Sequence, residues 1–137
     1  MNNKSQGFSL IELLIVVAVL GILAAMVMNS SSSSAEKARL ASAKSVMIEI
    51  QGKQERYSIN QRKYGSLANL GYSSTLYIDD DGSSTTQTKG FYKITMENDD
   101  FTFTITAEPI RSQAANKCGT LTLNQDGAKT AAEAKCW

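Results

Sequence analysis

Histidine is absent from the 137 residues of this chain, which removes the commonest general base and metal ligand together. No nucleophile–base pair, phosphate-cradling loop or metal cluster takes its place, so no enzymatic activity is expected and no cofactor is implied. A charge excess is missing too: 14 basic residues stand against 13 acidic ones. Strong attraction to nucleic acid is therefore not a property of the chain as a whole. The two cysteines, Cys118 and Cys136, are not spaced as C-x-x-C, and no other thiol or imidazole completes a metal set. The length leaves room for one apolar span and one domain of about 100 residues with a single modest core.

What is present begins with an apolar run from Phe8 to Met28 that contains one carboxylate, Glu12. At about 1.5 Å per residue, a helix over 8–28 is long enough for a hydrocarbon core of roughly 30 Å. A lone acid inside such a segment costs about 3 kcal/mol on insertion scales and marks a functional position. Cleavage after Gly7 would leave Phe8 with a free amine one helical turn from Glu12, where the two charges could pair within a chain or between neighbours. An ordinary secretory signal has a shorter apolar region followed by a small-residue cleavage site. No clear A-x-A follows here; Ser30 and Ser32 offer only a weak site. A plain single-span anchor remains open but gives no reason for Glu12.

The string Gly7-Phe8-Ser9-Leu10-Ile11-Glu12 resembles the class III signal of type IV pilins and pseudopilins, behind a short polar leader that carries Lys4. The resemblance implies cleavage by prepilin peptidase after Gly7, N-methylation of Phe8, and a docking role for Glu12. It implies residence in the bacterial inner membrane as a single pass with a periplasmic C-terminal domain, followed by extraction through an assembly platform into an extracellular pilus. Removal of the leader takes Lys4 and leaves 13 charges of each sign. In an oxidising compartment a Cys118–Cys136 disulfide is the simpler use of the two thiols. That pair also resembles the bridge bounding the C-terminal region of pilins.

Five serines, Ser30 to Ser34, follow Asn29. Serine hydroxyls compete for nearby backbone groups, so this stretch reads as a soft seam in a continuous helix; a solvated linker is the alternative. Many members of the family carry a proline near this point, and this chain does not. From Ala35 an amphipathic pattern resumes, with Leu40, Ala43, Met47, Ile50 and Tyr57 at helical steps and Val46 beside them. Gly52 is a poor helix former that would suit close packing. The helix is expected to end between Ser58 and Gln61.

Residues 62–90 read as an αβ-loop with little regular structure. Residues 91–97 and 101–107 alternate as strands, with Tyr92, Ile94 and Met96, then Phe101, Phe103, Ile105 and Ala107, facing inward. Asn98-Asp99-Asp100 is the turn between them, and Pro109 ends the second. A third strand over 120–125 buries Leu121 and Leu123, and Asp126-Gly127 turns it into a short fourth. The expected fold is α+β: one long N-terminal helix on a small antiparallel sheet, the type IV pilin layout. It divides into a leader (1–7), a membrane or filament-core helix (8–28), a soluble helical half (29–61), the loop (62–90) and the sheet with its disulfide-bounded end (91–137). Gln54-Glu55-Arg56-Tyr57, Lys117-Cys118-Gly119-Thr120-Leu121-Thr122-Leu123 and the final Cys136-Trp137 resemble PilE-type minor pilins.

Two further sites can be weighed. Asp79-Asp80-Asp81-Gly82 has the look of a calcium loop, with Asp79 and Asp81 as candidate ligands. An EF-hand would need a ligand and an acid where Ser83 and Gly90 stand; an acidic turn in water is the alternative. Lys53, Arg56, Arg62 and Lys63, interleaved with Tyr57 and Tyr64, form the densest basic cluster, and Arg62 and Lys63 are the candidate DNA contacts. Glu49 and Glu55 dilute that charge, so a solvated helix end competes. The resemblance implies a structural subunit, a minor pilin that initiates or decorates the filament in adhesion, twitching motility or DNA uptake, with other pilin subunits as partners. A type II secretion pseudopilin and a DNA-binding pilin of a competence pilus are the alternatives.

Overall fold

The computed structural model describes residues 9–137, apart from the side chains of 26–32. Gly7, Phe8 and the leader 1–7 lie outside the described residues. Helix α1 runs Leu10–Gln61, its start marked by the Ser9 carbonyl accepting the amides of Glu12 at 3.0 Å and Leu13 at 3.2 Å. Contacts divide the chain into two units, Met1–Ser34 and Ala35–Trp137. The boundary falls at the end of the serine run, through which the backbone stays helical.

In the first unit the apolar side chains are uncovered: Leu10, Ile11, Leu13, Leu14, Val17 and Leu20 are each more than half exposed. Among the described residues no helix is long and apolar enough to cross a membrane. The described apolar side chains at 10–25 span about 24 Å at 1.5 Å per residue, short of a hydrocarbon core. Both ends of the expected 8–28 span lie outside the described side chains.

In the second unit one stripe of α1 enters the core: Ala43, Met47 and Ile50 are fully buried and Val46 nearly so. They share that core with the inner face of a six-stranded antiparallel sheet, ordered β2-β1-β3-β4-β5-β6. The strands are β1 Leu76–Ile78, β2 Ser84–Thr85, β3 Tyr92–Asn98, β4 Phe103–Pro109, β5 Leu121–Asn124 and β6 Lys129–Thr130. Alternation sets the inner face, and register aligns it: Ile94 sits opposite Leu76 and Ala107, and Ile105 opposite Leu123. Each fully buried aliphatic side chain removes apolar area worth about 1.5–3 kcal/mol.

Three expectations are corrected. Residues 62–90 are more regular than their composition implies, holding β1, β2 and a 3-10 turn at Ala68–Leu70. Strands of two or three residues are too short to leave an alternation signal. Phe101 does not point inward; it is 81% exposed. The turn runs on to Thr102, because the Asp99 carboxylate accepts the amides of Phe101 and Thr102, both at 2.7 Å. Gly52 is no close-approach site, since a methyl group there would meet nothing within 4 Å.

The C-terminal end is closed by the Cys118–Cys136 disulfide. Lys44 adds a tie from α1, donating to the Cys136 carbonyl at 2.9 Å. On the entropic account, a bridge enclosing 18 positions of sequence separation stabilises by about 3 kcal/mol. Cys118→Ser should therefore lower the thermal midpoint, and reductant should do the same to the natural chain. Coincident melting curves for the two proteins would show the bridge to be idle.

Candidate functional site

Residue Arg62 stands just beyond α1 in the left-handed region, with φ of 58°. Its amide returns to the Ser58 carbonyl at 2.8 Å, the hydrogen bond of a left-handed helix cap. Glycine normally fills such a place, and another residue there carries about 1–2 kcal/mol of strain. An arginine at that cap turns the chain sharply and puts Lys63 and Tyr64 beside the helix end.

The segment after the cap is gripped from inside. Gln54, fully buried on α1, accepts the Gly65 amide at 3.0 Å and donates to the Gly65 carbonyl. It also approaches the Met96 sulfur at 3.2 Å. Gly65 has no room for a side chain: a β-carbon would lie 2.8 Å from the Tyr57 ring. The next tie reaches the β3–β4 turn, where the Tyr64 amide donates to the Asp100 carbonyl at 3.2 Å. The Tyr64 ring meets Phe103 edge-on, with centroids 4.8 Å apart.

These constraints form an open cleft of about 270 Å³ lined by Ser58, Arg62, Lys63, Tyr64, Asp100 and Phe101. Arg62 and Lys63 are exposed and enter no ion pair among the described residues. The turn that presents Phe101 is electrostatically held. Hydrogen bonds from the Phe101 amide, the Thr102 hydroxyl and the Thr102 amide keep the Asp99 carboxyl below its ordinary range. That stabilisation is complete above the usual aspartate pKa and is lost only as pH falls through the depressed one.

The structure thus brings Arg62, Lys63 and Tyr64 together in a cleft whose lining does not include Lys53, Arg56 or Tyr57. Lys53 instead pairs with Glu49 at 3.1 Å and lies 4.1 Å over the Tyr72 ring. Tyr72 donates to Glu49 at 2.8 Å. The bond from Tyr72, then that from Lys53, lowers the Glu49 pKa. Tyr57 is half-buried against Gly65. Sequence reasoning missed Phe101, Asp100 and Ser58 as cleft residues. The signal for the first two was an aromatic directly after Asn98-Asp99-Asp100, where a turn can hold it clear of the sheet.

The acidic loop is the β1–β2 turn. Asp80 pairs with Arg39 at 2.7 Å, and its carbonyl accepts the Ser42 hydroxyl at 2.7 Å. Asp79 accepts the Asp80 amide and Asp81 the Ser83 amide, both at 2.8 Å. Bonding to Ser83 depresses the Asp81 pKa. Asp79 and Asp81 thus serve the turn, and among the described residues no set of three acids, cysteines or histidines is placed to hold a metal. Arg39 also stacks 3.6 Å over the Phe91 ring, so the turn is docked on α1. Glu12 lies in the first turn of α1, while Phe8, its expected partner, is outside the described residues.

Residues 30–122 match the family described as type IV minor pilin ComP, DNA uptake sequence receptor. Residues 2–28 match the prokaryotic N-terminal methylation motif. Over 64 residues the chain is 28% identical to the type II secretion system core protein G of Dickeya chrysanthemi, a match covering 47% of this chain and 42% of that protein. The chain thus spans less than half the length of that relative. A type IV pilin from Shewanella oneidensis has a similar fold, with a TM-score of 0.52, 19% identity, and coverage of 74% of this chain and 97% of that one. The long N-terminal helix, the antiparallel sheet and the match over residues 30–122 together place this chain in the type IV minor pilin ComP family.

Proposed function

We propose that this minor pilin captures DNA for uptake, using the helix-end cleft as part of its contact surface. The observation that carries the proposal is the match of residues 30–122 to a family described as a DNA uptake sequence receptor. That region includes the cleft and its two cations, Arg62 and Lys63, which enter no ion pair among the described residues. Local rather than global charge suits the task, since the chain as a whole carries a formal net charge of only +1. Two cations on one rim suffice to contact a phosphate backbone, whereas base-edge or shape contacts must supply any sequence preference.

Membrane anchoring followed by assembly into a pilus with other pilins follows from the family and its methylation motif. In the finer sequence we propose, prepilin peptidase cuts after Gly7, Phe8 is methylated, and the single-pass subunit is handed from the inner-membrane assembly platform to the fibre. Its C-terminal domain lies in the periplasm beforehand. Glu12 of one subunit then meets the new amine of Phe8 on the same or a neighbouring subunit. A buried ion pair serves register better than raw stability. The role is structural and ligand-binding rather than catalytic. The alignment with a type II secretion core protein supports a pseudopilin as the second possibility, which would use the same anchor and helix.

Two tests address separate halves of the proposal. Glu12→Ala should leave the protein in the membrane but sharply reduce its amount in sheared fibres; undiminished incorporation would remove Glu12 from assembly. For DNA, an Arg62→Ala/Lys63→Ala double variant of the full chain in detergent should bind duplex more weakly, largely independent of sequence. Its plot of log affinity against log salt should be shallower by about 2. An unchanged slope would mean that neither cation touches phosphate.

A further inference from the structure

Phe101 is the unused feature of the cleft. The residue is 81% exposed on the β3–β4 turn, yet its backbone is held on both sides. The backbone is fixed on one side by Asp99, through the amides of Phe101 and Thr102 and the Thr102 hydroxyl. On the other side the Asp100 carbonyl is tied to Tyr64. Exposing a phenyl ring on a rigid support forgoes the burial that Phe103, two residues on, obtains in the core.

The chemistry of the cleft is divided. The connection after α1 supplies a cationic wall, Arg62 and Lys63; the β3–β4 turn supplies Phe101 and Asp100, with Tyr64 and Ser58 completing the lining. A phosphodiester suits the cationic wall and is repelled by the Asp100 carboxylate. A base suits the other side: its face can lie on Phe101, and an exocyclic amino group can donate to Asp100. Paired bases inside a duplex present edges, not faces, so a stacking platform has no use for them. An unpaired base, as in a single-stranded tail, presents the face that Phe101 can cover.

We infer that the cleft binds an unpaired DNA base, stacked on Phe101 while its flanking phosphate lies against Arg62 and Lys63. This rests on the DNA-binding proposal above and adds to it the form of DNA recognised. A pilus subunit with this site would hold frayed ends, single-stranded tails or extruded bases more tightly than intact duplex.

Three labelled probes test it by fluorescence anisotropy with the full chain in detergent: a blunt duplex, the same duplex with a four-nucleotide tail, and that tail made of abasic units. The natural chain should bind the tailed duplex about tenfold more tightly than either other probe, an advantage within the reach of base–aromatic stacking. Phe101→Ala should abolish the advantage, while Phe101→Trp should keep it. The surface position of Phe101 makes both variants foldable, which their thermal midpoints would verify. Equal binding of tailed and abasic-tailed duplex by the natural chain would overturn the inference while leaving DNA capture intact. Failure to bind any of the three probes would overturn both. Reduced pilus incorporation of Phe101→Ala with its tail advantage retained would make Phe101 a subunit contact and likewise refute the base site.

Discussion

The constraint on which everything else depends is apolar surface that the chain does not cover itself. Between Leu10 and Leu23 the large aliphatic side chains of α1 are all half exposed or more. Water is a poor solvent for such a surface, and each methylene left in it forgoes about 0.8 kcal/mol. Two environments satisfy it equally well: lipid tails and the flanks of other apolar helices. Because both are apolar, moving between them costs little in transfer free energy, so a subunit can leave a membrane for a fibre. Glu12 is the exception in this surface. On the assembly proposed above, it would give an otherwise uniform stripe one position that distinguishes correct from shifted packing.

The other half of α1 has the opposite arrangement. Its stripe from Ala43 to Ile50 is fully used on the sheet, and polar ties from its remaining faces dock the loops. Arg39 and Ser42 hold the β1–β2 turn, Lys44 the C-terminal end, and Gln54 the segment at Gly65. A further clamp comes from Gln113, whose amide donates to the Glu36 carbonyl at 3.1 Å and the Tyr92 hydroxyl at 3.3 Å. The cleft at the helix end is therefore positioned by α1 as well. Its cations and its aromatic come from two connections that α1 and the β3–β4 hairpin hold in place.

Long periodic elements were legible in the sequence for a physical reason: burial on one face imposes a period on every residue of that face. The helix end at Gln61, the inward Tyr92 and Ile94, and the Leu121–Leu123 pair follow from that alone. The Cys118–Cys136 bridge was legible because the chain holds two cysteines, so each has one possible partner within it. What escaped depended on single tertiary hydrogen bonds. Gln54 and Gln113 are polar residues with no burial signal, yet both are fully buried. Phe101 fits the alternation of its strand, and only the reach of the Asp99 carboxylate moves it to the surface. The densest run of basic residues likewise misled in part, since Lys53 is claimed by Glu49 and Tyr72, whereas Arg62 and Lys63 are left to the cleft.

Site-specific photocrosslinking at Val17 measures the central claim most directly, because that residue sits in the uncovered stripe and is 62% exposed. A benzophenone side chain placed there should crosslink to lipid in cells blocked for pilus assembly, and to other pilin subunits in fibres sheared from assembling cells. Crosslinks to lipid in the purified fibres, or to neither partner in either state, would contradict the exchange of one apolar surface between membrane and filament.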